Sequence, residues 1–306
     1  MTSPVTWPDG RRFAFTIIDD PDAESLAHSR TIYGLLQDLA FRTTKAVWVM
    51  EPPERNSTGD TCASPAFLAH CQGLQQAGFE IAYHNGAPGT LVRDDVVNSL
   101  ERFRQYFGDD PMAMANHYNG DAMYWGEARL SGPARLIYKA VTLRPKPHYG
   151  HVEGHPCFWG DVCRERIRYC RNFVFRRLNT LSACPFMPYT DPDRPYVQAW
   201  FAASEGCNAG TFMRACSERA LDRLEEEGGA CVMYTHFGHG FVKDGRLDPA
   251  FVRRMTALAA RNGWFVPVGT LLEYLRTVRG VHVLTTAERN AMERAWLATK
   301  LVYGTS

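Results

Sequence analysis

The sequence RFAFTIIDD at residues 12–20 gives the strongest indication of the fold. Its apolar, β-branched run ends abruptly in two acids, which is typical of a buried strand that reaches the rim of a sheet. Apolar residues then keep helical spacing from 24 to 41, and TKAVWVM at 44–50 has the composition of a second strand. The three segments predict a β-α-β unit.

The same alternation continues along the chain. A helix is predicted at 64–76, a strand at 79–84, a helix at 93–107 and then a short strand that ends at His117. After residue 210 the pattern resumes, with the strand ACVMYTH at 230–236 between helices. Strands that alternate with helices predict a parallel sheet or an α/β barrel.

One domain is predicted for residues 1–306, because no linker, internal repeat or low-complexity tract divides the chain. An aromatic, Cys- and Pro-rich stretch at about 145–210 interrupts the alternation, and we interpret it as an elaboration of the same domain. In parallel α/β folds, functional residues gather at the carboxyl ends of the strands. The polar residues at predicted strand ends are Asp19, Asp20, His84 and His117.

Composition excludes several classes of function. The 34 basic residues balance 33 acidic ones, and no segment concentrates positive charge, so nucleic acid is not expected as a partner. No stretch of about 18 apolar residues predicts a membrane span, and the N-terminal sequence lacks the apolar core of a secretory signal. We therefore expect a cytoplasmic protein. Nine cysteines without a CxxC pair are expected to be reduced and mostly buried.

Two histidines and a carboxylate at strand ends suggest a metal site. His84, His117 and Asp20 would supply two nitrogens and one oxygen and leave a position open for water, as in catalytic zinc sites. His236 closes the strand at 230–236 and is available to supply a proton. The alternative interpretation is structural: Asp20 would then favour a helix N-terminus, and each histidine would satisfy a local hydrogen bond.

Aromatic residues in the irregular parts of the chain are candidates for a sugar-binding surface. We predict substrate contacts for Tyr124, Trp125 and Trp200, although aromatic side chains of this kind are more often part of the core. No G-x-S-x-G motif indicates a serine nucleophile, and no Walker loop or G-x-G-x-x-G indicates nucleotide chemistry.

Three segments in this order, FTIIDDPD, GFEIAYHN and CVMYTHFG, resemble motifs of the polysaccharide deacetylase superfamily, the NodB-like carbohydrate esterases. The resemblance implies a distorted (β/α) barrel and a metal-dependent deacetylase. It also implies that Asp19 is the catalytic base, that Asp20 and His84 bind the metal, and that His236 is the general acid.

The sequence departs from the family pattern at two motifs. Pro88 stands where the second motif has another histidine, and NHYNGDAMYWG takes the place of R-x-P-x-G. We therefore expect His117 to replace the missing ligand, with Asn119 beside it as a contact for substrate or metal.

The expected function is a metal-dependent hydrolase that removes an acetyl or formyl group from the nitrogen of an amino sugar or a related glycan intermediate. Its expected cofactor is a divalent ion, with zinc as the first choice, and its expected partner is a small-molecule or glycan substrate. Two alternatives stay open. One is a metal-independent amide hydrolase of the same fold, which the absence of the second histidine supports, and the other is a non-catalytic glycan-binding protein.

Overall fold

The computed structural model describes residues 5–51, 59–142 and 146–304. In these ranges the chain forms the following strands: β1 (Phe13–Asp19), β2 (Thr44–Val47), β3 (Glu80–Tyr83), β4 (Ala113–Met114), β5 (Tyr169–Phe175), β6 (Tyr189–Thr190), β7 (Ala199–Glu205), β8 (Ala230–Thr235), β9 (Val242–Lys243), β10 (Arg246–Leu247), β11 (Gly263–Trp264) and β12 (His282–Val283).

The helices of the same ranges are α1 (Leu26–Asp38), α2 (Pro65–Gln76), α3 (Arg93–Phe107), α4 (Gly132–Val141), α5 (Gly160–Arg166), α6 (Thr180–Ala183), α7 (Ala209–Ala215), α8 (Glu218–Glu226), α9 (Pro249–Ala259), α10 (Val268–Arg279) and α11 (Thr286–Tyr303). Short 3₁₀ turns lie at Pro8–Gly10 and Gly126–Arg129. None of the described helices is long and apolar enough to cross a membrane.

Seven parallel strands close into a barrel in the order β1, β2, β3, β4, β5, β7, β8. The ring closes because β8 pairs with β7 on one side and with β1 on the other, and the pairing with β1 continues from Ala14↔Ala230 to Asp19↔Thr235. Helices connect successive strands and cover the outside, so the α/β barrel predicted from the sequence is confirmed.

The first strand is fully enclosed in the wall of the barrel. All seven residues of β1 are buried, because the strand has neighbours on both sides and α10 packs against it. The helix after it begins where Ser25 accepts a hydrogen bond from the N–H of His28. An apolar strand followed by a capped helix therefore fixes where the first strand ends, and the functional loops begin there.

The stretch at about 145–210, predicted to be an elaboration, also supplies two strands of the barrel. These are β5 and β7, which pair with each other in parallel. β5 reads YCRNFVF, and its polar Arg171 and Asn172 are buried in the barrel, so the strand lacks the continuous apolar run that marks β1. The nine cysteines are all free, and all but Cys207 are buried.

Candidate active site

The loops at the carboxyl ends of β1, β3, β4 and β8 bring acids and histidines together. They border or adjoin a cavity of about 320 Å³. The polar and aromatic residues around this cavity are Asp20, Asp22, Asn116, His117, Tyr118, Trp125, Arg129, Tyr138, Arg171, Tyr234, His236, His239 and Lys300.

Asp22 lies at the centre of three imidazoles. Its Oδ2 is 3.5 Å from Nε2 of His84 and 3.5 Å from Nε2 of His236, and its Oδ1 is 3.4 Å from Nε2 of His117. Burial alone would raise the pKa of Asp22, but the neighbouring His117 and His84 outweigh it and hold the pKa below its ordinary value. Asp22 is therefore ionised at neutral pH.

The tautomer of His117 follows from the hydrogen bonds of Asn119. The amide Nδ2 of Asn119 donates to the carbonyls of Ala87 and Gly89, at 3.0 and 2.8 Å, so its Oδ1 is left to accept. That oxygen lies 2.9 Å from Nδ1 of His117, which must be the protonated nitrogen. Nε2 is then the nitrogen that faces Asp22 and is left to bind an ion.

His236 is oriented in the same way by a backbone carbonyl. Its Nδ1 donates to the carbonyl of Cys207 at 2.8 Å, and its Nε2 lies 3.1 Å from the hydroxyl of Tyr234. A carbonyl can only accept, so Nδ1 carries a proton and Nε2 is the nitrogen that faces Asp22 and the cavity.

The donor set of Asp22, His84 and His117 fits a divalent ion. One ligand atom from each of the three lies within 4.8 Å of the others. Oδ2 of Asp22 and Nε2 of both histidines are buried without a hydrogen-bond partner, which is costly unless a further group binds them. Two imidazole nitrogens and one carboxylate oxygen are the ligands of many catalytic zinc sites, and Asn119 would serve as the outer partner that fixes one imidazole.

Asp20 lies on the wall of the cavity, and both of its oxygens are bound to a buried guanidinium. Arg171 of β5 donates to Oδ1 at 2.8 Å and to Oδ2 at 2.6 Å. Burial would raise the pKa of Asp20, but the charge of Arg171 outweighs it and lowers the pKa. Asp20 can also be grouped with Asp22 and His236 as possible ligands, but only if it shares its oxygens with Arg171. The metal-binding role expected for Asp20 stays a prediction.

Asp19 is completely buried below the cavity and does not border it. It accepts hydrogen bonds from Nζ of Lys45 at 3.0 Å, from the hydroxyl of Tyr33 at 3.1 Å and from the N–H of Phe237 at 2.9 Å. Lys45 is also paired with Glu24. Burial raises the pKa of Asp19, even though Lys45 opposes the change. The base role expected for Asp19 stays a prediction.

The residues expected to contact substrate lie in different surroundings. Trp125 borders the cavity. Tyr124 and Trp200 are buried and pack against each other, with ring centroids 6.0 Å apart. Asn119 borders a separate groove and orients His117 as described above. Substrate roles for these four residues stay predictions.

Asp22 was not predicted as a metal ligand, and Arg129 and Arg171 were not singled out from the sequence at all. Asp22 is the third acid of DDPD, where its position fits a helix N-terminus as well as a ligand. Arg129 lies in a 3₁₀ turn without a periodic pattern, and Arg171 lies in a strand whose apolar run is interrupted. The position of Asp22, three residues after the strand end at Asp19, could have indicated a ligand. No local sequence pattern marked Arg129 or Arg171 as a site residue.

Gly238 allows two of the functional loops to approach each other. A Cβ built on it would lie 2.4 Å from the carbonyl carbon of Ala23 and 2.5 Å from the carbonyl oxygen of Asp22. These are backbone atoms that cannot rotate away. Only glycine therefore permits the loop after β8, with His236, to pack on the loop that carries Asp22.

Comparison with known proteins supports the fold. No protein-family model matches the sequence, and no curated protein matches it either. Among solved structures, the chain is similar to a protein assigned as a polysaccharide deacetylase from Mycobacterium smegmatis, with a TM-score of 0.56, 15% identity and coverage of 93% of this chain and 97% of that one. It is also similar to PuuE allantoinase, with a TM-score of 0.55, 12% identity and coverage of 92% and 95%. At these identities the similarity establishes an α/β barrel of the NodB type.

Proposed function

We propose that this protein is a metal-dependent hydrolase that removes an acetyl or formyl group from the nitrogen of an amino sugar or related compound. The observation that carries the proposal is the convergence of His84, His117 and His236 on Asp22, with buried ligand atoms that lack partners. The two similar structures named above match over nearly their whole length, and their names, a polysaccharide deacetylase and an allantoinase, are those of hydrolases. Hydrolysis of a C–N bond is also the reaction expected from the sequence motifs.

The proposed ligands are Asp22, His84 and His117. A divalent ion held there would polarise an acyl carbonyl and lower the pKa of water toward about 7. Asp22 replaces Asp20 as the carboxylate ligand in this proposal, because Asp20 already binds Arg171 through both oxygens.

Two further residues would handle protons. Asp20 is ionised and lies at the cavity, so we assign to it the base role that the sequence motifs gave to Asp19, which does not border the cavity. His236 faces the cavity through Nε2 and is held by the Cys207 carbonyl, so it would protonate the departing amine. Arg171 would keep Asp20 oriented and limit its basicity.

Metal content and acyl release test this proposal together. Wild-type protein purified without chelator should contain about one divalent ion per chain and should release acetate or formate from a panel of N-acylated amino sugars. Asp22→Asn should lose the ion and the activity, whereas Asp20→Asn should keep the ion and lose the activity. Asp9→Asn, an exposed change far from the site, serves as the matched control.

The outcomes separate the alternatives raised by the sequence. Activity in protein that holds no ion, and that added metals do not increase, would favour the metal-independent hydrolase. Metal binding without release from any acylated substrate would favour the glycan-binding protein. Full activity in Asp20→Asn would contradict the assignment of the base.

A further inference from the structure

Arg129 is a buried cation without a counterion in the described part of the chain. It is only 2% exposed, and it borders the same cavity as Asp22 and His236. Its Nε and Nη2 have no hydrogen-bond acceptor, and no carboxylate of the described residues forms an ion pair with it. The guanidinium carbon lies 3.4 Å from the ring centroid of Trp125 and 5.4 Å from that of Trp296.

The other buried arginines are all paired, which makes Arg129 exceptional. Arg171 binds Asp20 through both oxygens. The ion pairs of the remaining two are Arg194 with Asp191 and Glu293, and Arg289 with Asp191 and Asp193. In the described ranges, carboxylates therefore pair with every buried guanidinium except that of Arg129. Leaving a buried charge unpaired is unfavourable, so a structural role alone does not account for it.

Stacking on aromatic rings does not replace the missing partner. A ring face stabilises the charge of Arg129 but offers no oxygen to its N–H groups. Arg171 and Lys300 also border the cavity, and Arg171 lies close enough for its charge to act on Arg129. Burial lowers the pKa of Arg129 to about 9, so the side chain is still charged at neutral pH. Because Asp20 already pairs with Arg171, the charge of Arg129 is the one that makes this wall of the cavity attractive to an anion.

We infer that the substrate carries an anionic group, a carboxylate or a phosphate, that pairs with Arg129 while the acylated nitrogen lies at the Asp22 cluster. This inference rests on the proposed function, since it places the anion on the same molecule that is hydrolysed. An acetyl or formyl group has no ionisable function, so the anionic group belongs to the amine part of the substrate.

Binding of simple anions tests the site without turnover. Calorimetric titration of the wild-type protein with benzoate, with neutral benzamide and with inorganic phosphate compares charge at similar size and separates the two kinds of anion. Benzoate or phosphate should bind, benzamide should not, and Arg129→Gln should weaken the anion binding by about 100-fold. Arg102→Gln, which changes an exposed arginine, should leave it unchanged.

Turnover of matched substrates tests the role in specificity. N-acetylglucosamine is the neutral reference, and its 6-phosphate and N-acetylmuramic acid carry a phosphate and a carboxylate. The charged compound that fits should have the higher kcat/KM, and Arg129→Gln should lower the ratio of its kcat/KM to that of the neutral compound by about 100-fold. Arg129→Lys should restore part of the advantage, because it keeps the charge but not the planar donors.

Two results would overturn the inference. One is equal binding of benzoate and benzamide, and the other is an unchanged preference among the three sugars in Arg129→Gln. If the neutral sugar were hydrolysed under those results, the proposed hydrolase would stand and only the anion site would fail. If the anions bound through Arg129 but no acylated compound were hydrolysed, the hydrolase would fail and the anion-binding site would stand.

Discussion

Asn119 determines which nitrogen of His117 carries the proton, and this is a function that its place in the sequence did not reveal. Its amide group is held by two backbone carbonyls, so its oxygen can only face the imidazole. Removing this oxygen frees the ring to rotate and to adopt the other tautomer. Asn119 is therefore a positioning residue, and metal affinity is the property that should report it.

We expect Asn119→Ala to weaken zinc binding by about 10–100-fold, because an outer partner that fixes a ligating imidazole contributes on this scale. Asn119→Asp keeps an acceptor for Nδ1 of His117 and should lose less. Zinc affinity measured by competition with a chromophoric chelator checks this, with the exposed Asn262→Ala as control. Equal affinity in Asn119→Ala and wild type would contradict the assigned orientation.

Asp121 is a second residue whose surroundings have a measurable effect, in this case on how stability depends on pH. It accepts hydrogen bonds from the N–H of Leu91 at 3.1 Å and from the side chain of Asn85 at 3.2 Å. Burial raises its pKa from 3.8 to about 6 in spite of these bonds. Between those pH values the folded protein retains a proton that the unfolded chain has lost, so the contribution of Asp121 to stability decreases as the pH rises.

Asp121→Asn has no such proton to lose. The free energy of unfolding of the variant, relative to wild type, should therefore increase by roughly 3 kcal/mol as the pH is raised from 4 to 7. Urea denaturation at a series of pH values measures this difference, and Asp109→Asn on the surface should show no trend. A difference that stays constant with pH would mean that Asp121 titrates alike in the folded and unfolded states.

At the scale of elements, the site depends on how closely the loops after β1 and β8 pack. The contact is at Gly238, where a side chain would meet the backbone of Asp22 and Ala23. Gly238→Ala should separate Asp22 from His236 and lower zinc affinity and kcat/KM by at least about 10-fold. Gly34→Ala in α1, where a Cβ meets open space, should keep both and gain stability.

Separate measurements of stability and activity distinguish this effect from general damage. In Gly238→Ala the loss of metal affinity should exceed what a lower melting temperature alone explains. A variant that binds zinc as wild type does would show that the loops can shift apart without moving Asp22.

The elements also show what the sequence could predict. The strand that ends at Asp19 was recognisable because a buried parallel strand needs a continuous apolar run. The start of α11 is likewise marked by local sequence, because Thr285 and Glu288 have the spacing of a capping box and form one. β5 was not recognised because the buried polar residues Arg171 and Asn172 interrupt its apolar run. The ion pair that makes a buried arginine acceptable there involves Asp20, 151 residues away. Strand ends could be predicted from local pattern, whereas ion pairs between them could not.

At the scale of the whole molecule, closure of the barrel gathers the proposed metal ligands, which are far apart in sequence. Asp22 follows β1, His84 follows β3 and His117 follows β4, so an ion bound to all three would tie together three loops that are far apart in the sequence. Binding to the folded state alone then stabilises the entire domain. The last helix contributes to the same cavity through Lys300.

Zinc at about 100 times its dissociation constant should therefore add about 2.7 kcal/mol and raise the melting temperature by about 4 °C. Differential scanning calorimetry with and without zinc measures this shift. Asp22→Asn should show no shift, whereas Asp9→Asn should respond as the wild type does. A shift of the same size in Asp22→Asn would place the ion elsewhere on the protein.

The hydrogen bond from the N–H of Phe237 to Asp19 has a consequence for mutational mapping of this protein. That N–H belongs to the peptide group that follows His236, so the buried Lys45–Asp19 pair anchors the backbone of the proposed acid. An alanine scan scored by turnover alone would rank Asp19 among the catalytic groups. Without the Asp19 carboxylate, the peptide group after His236 is no longer held in place, and turnover falls for that reason. The amide resonance of Phe237 in an NMR spectrum would move in the same variant and reveal an anchoring defect.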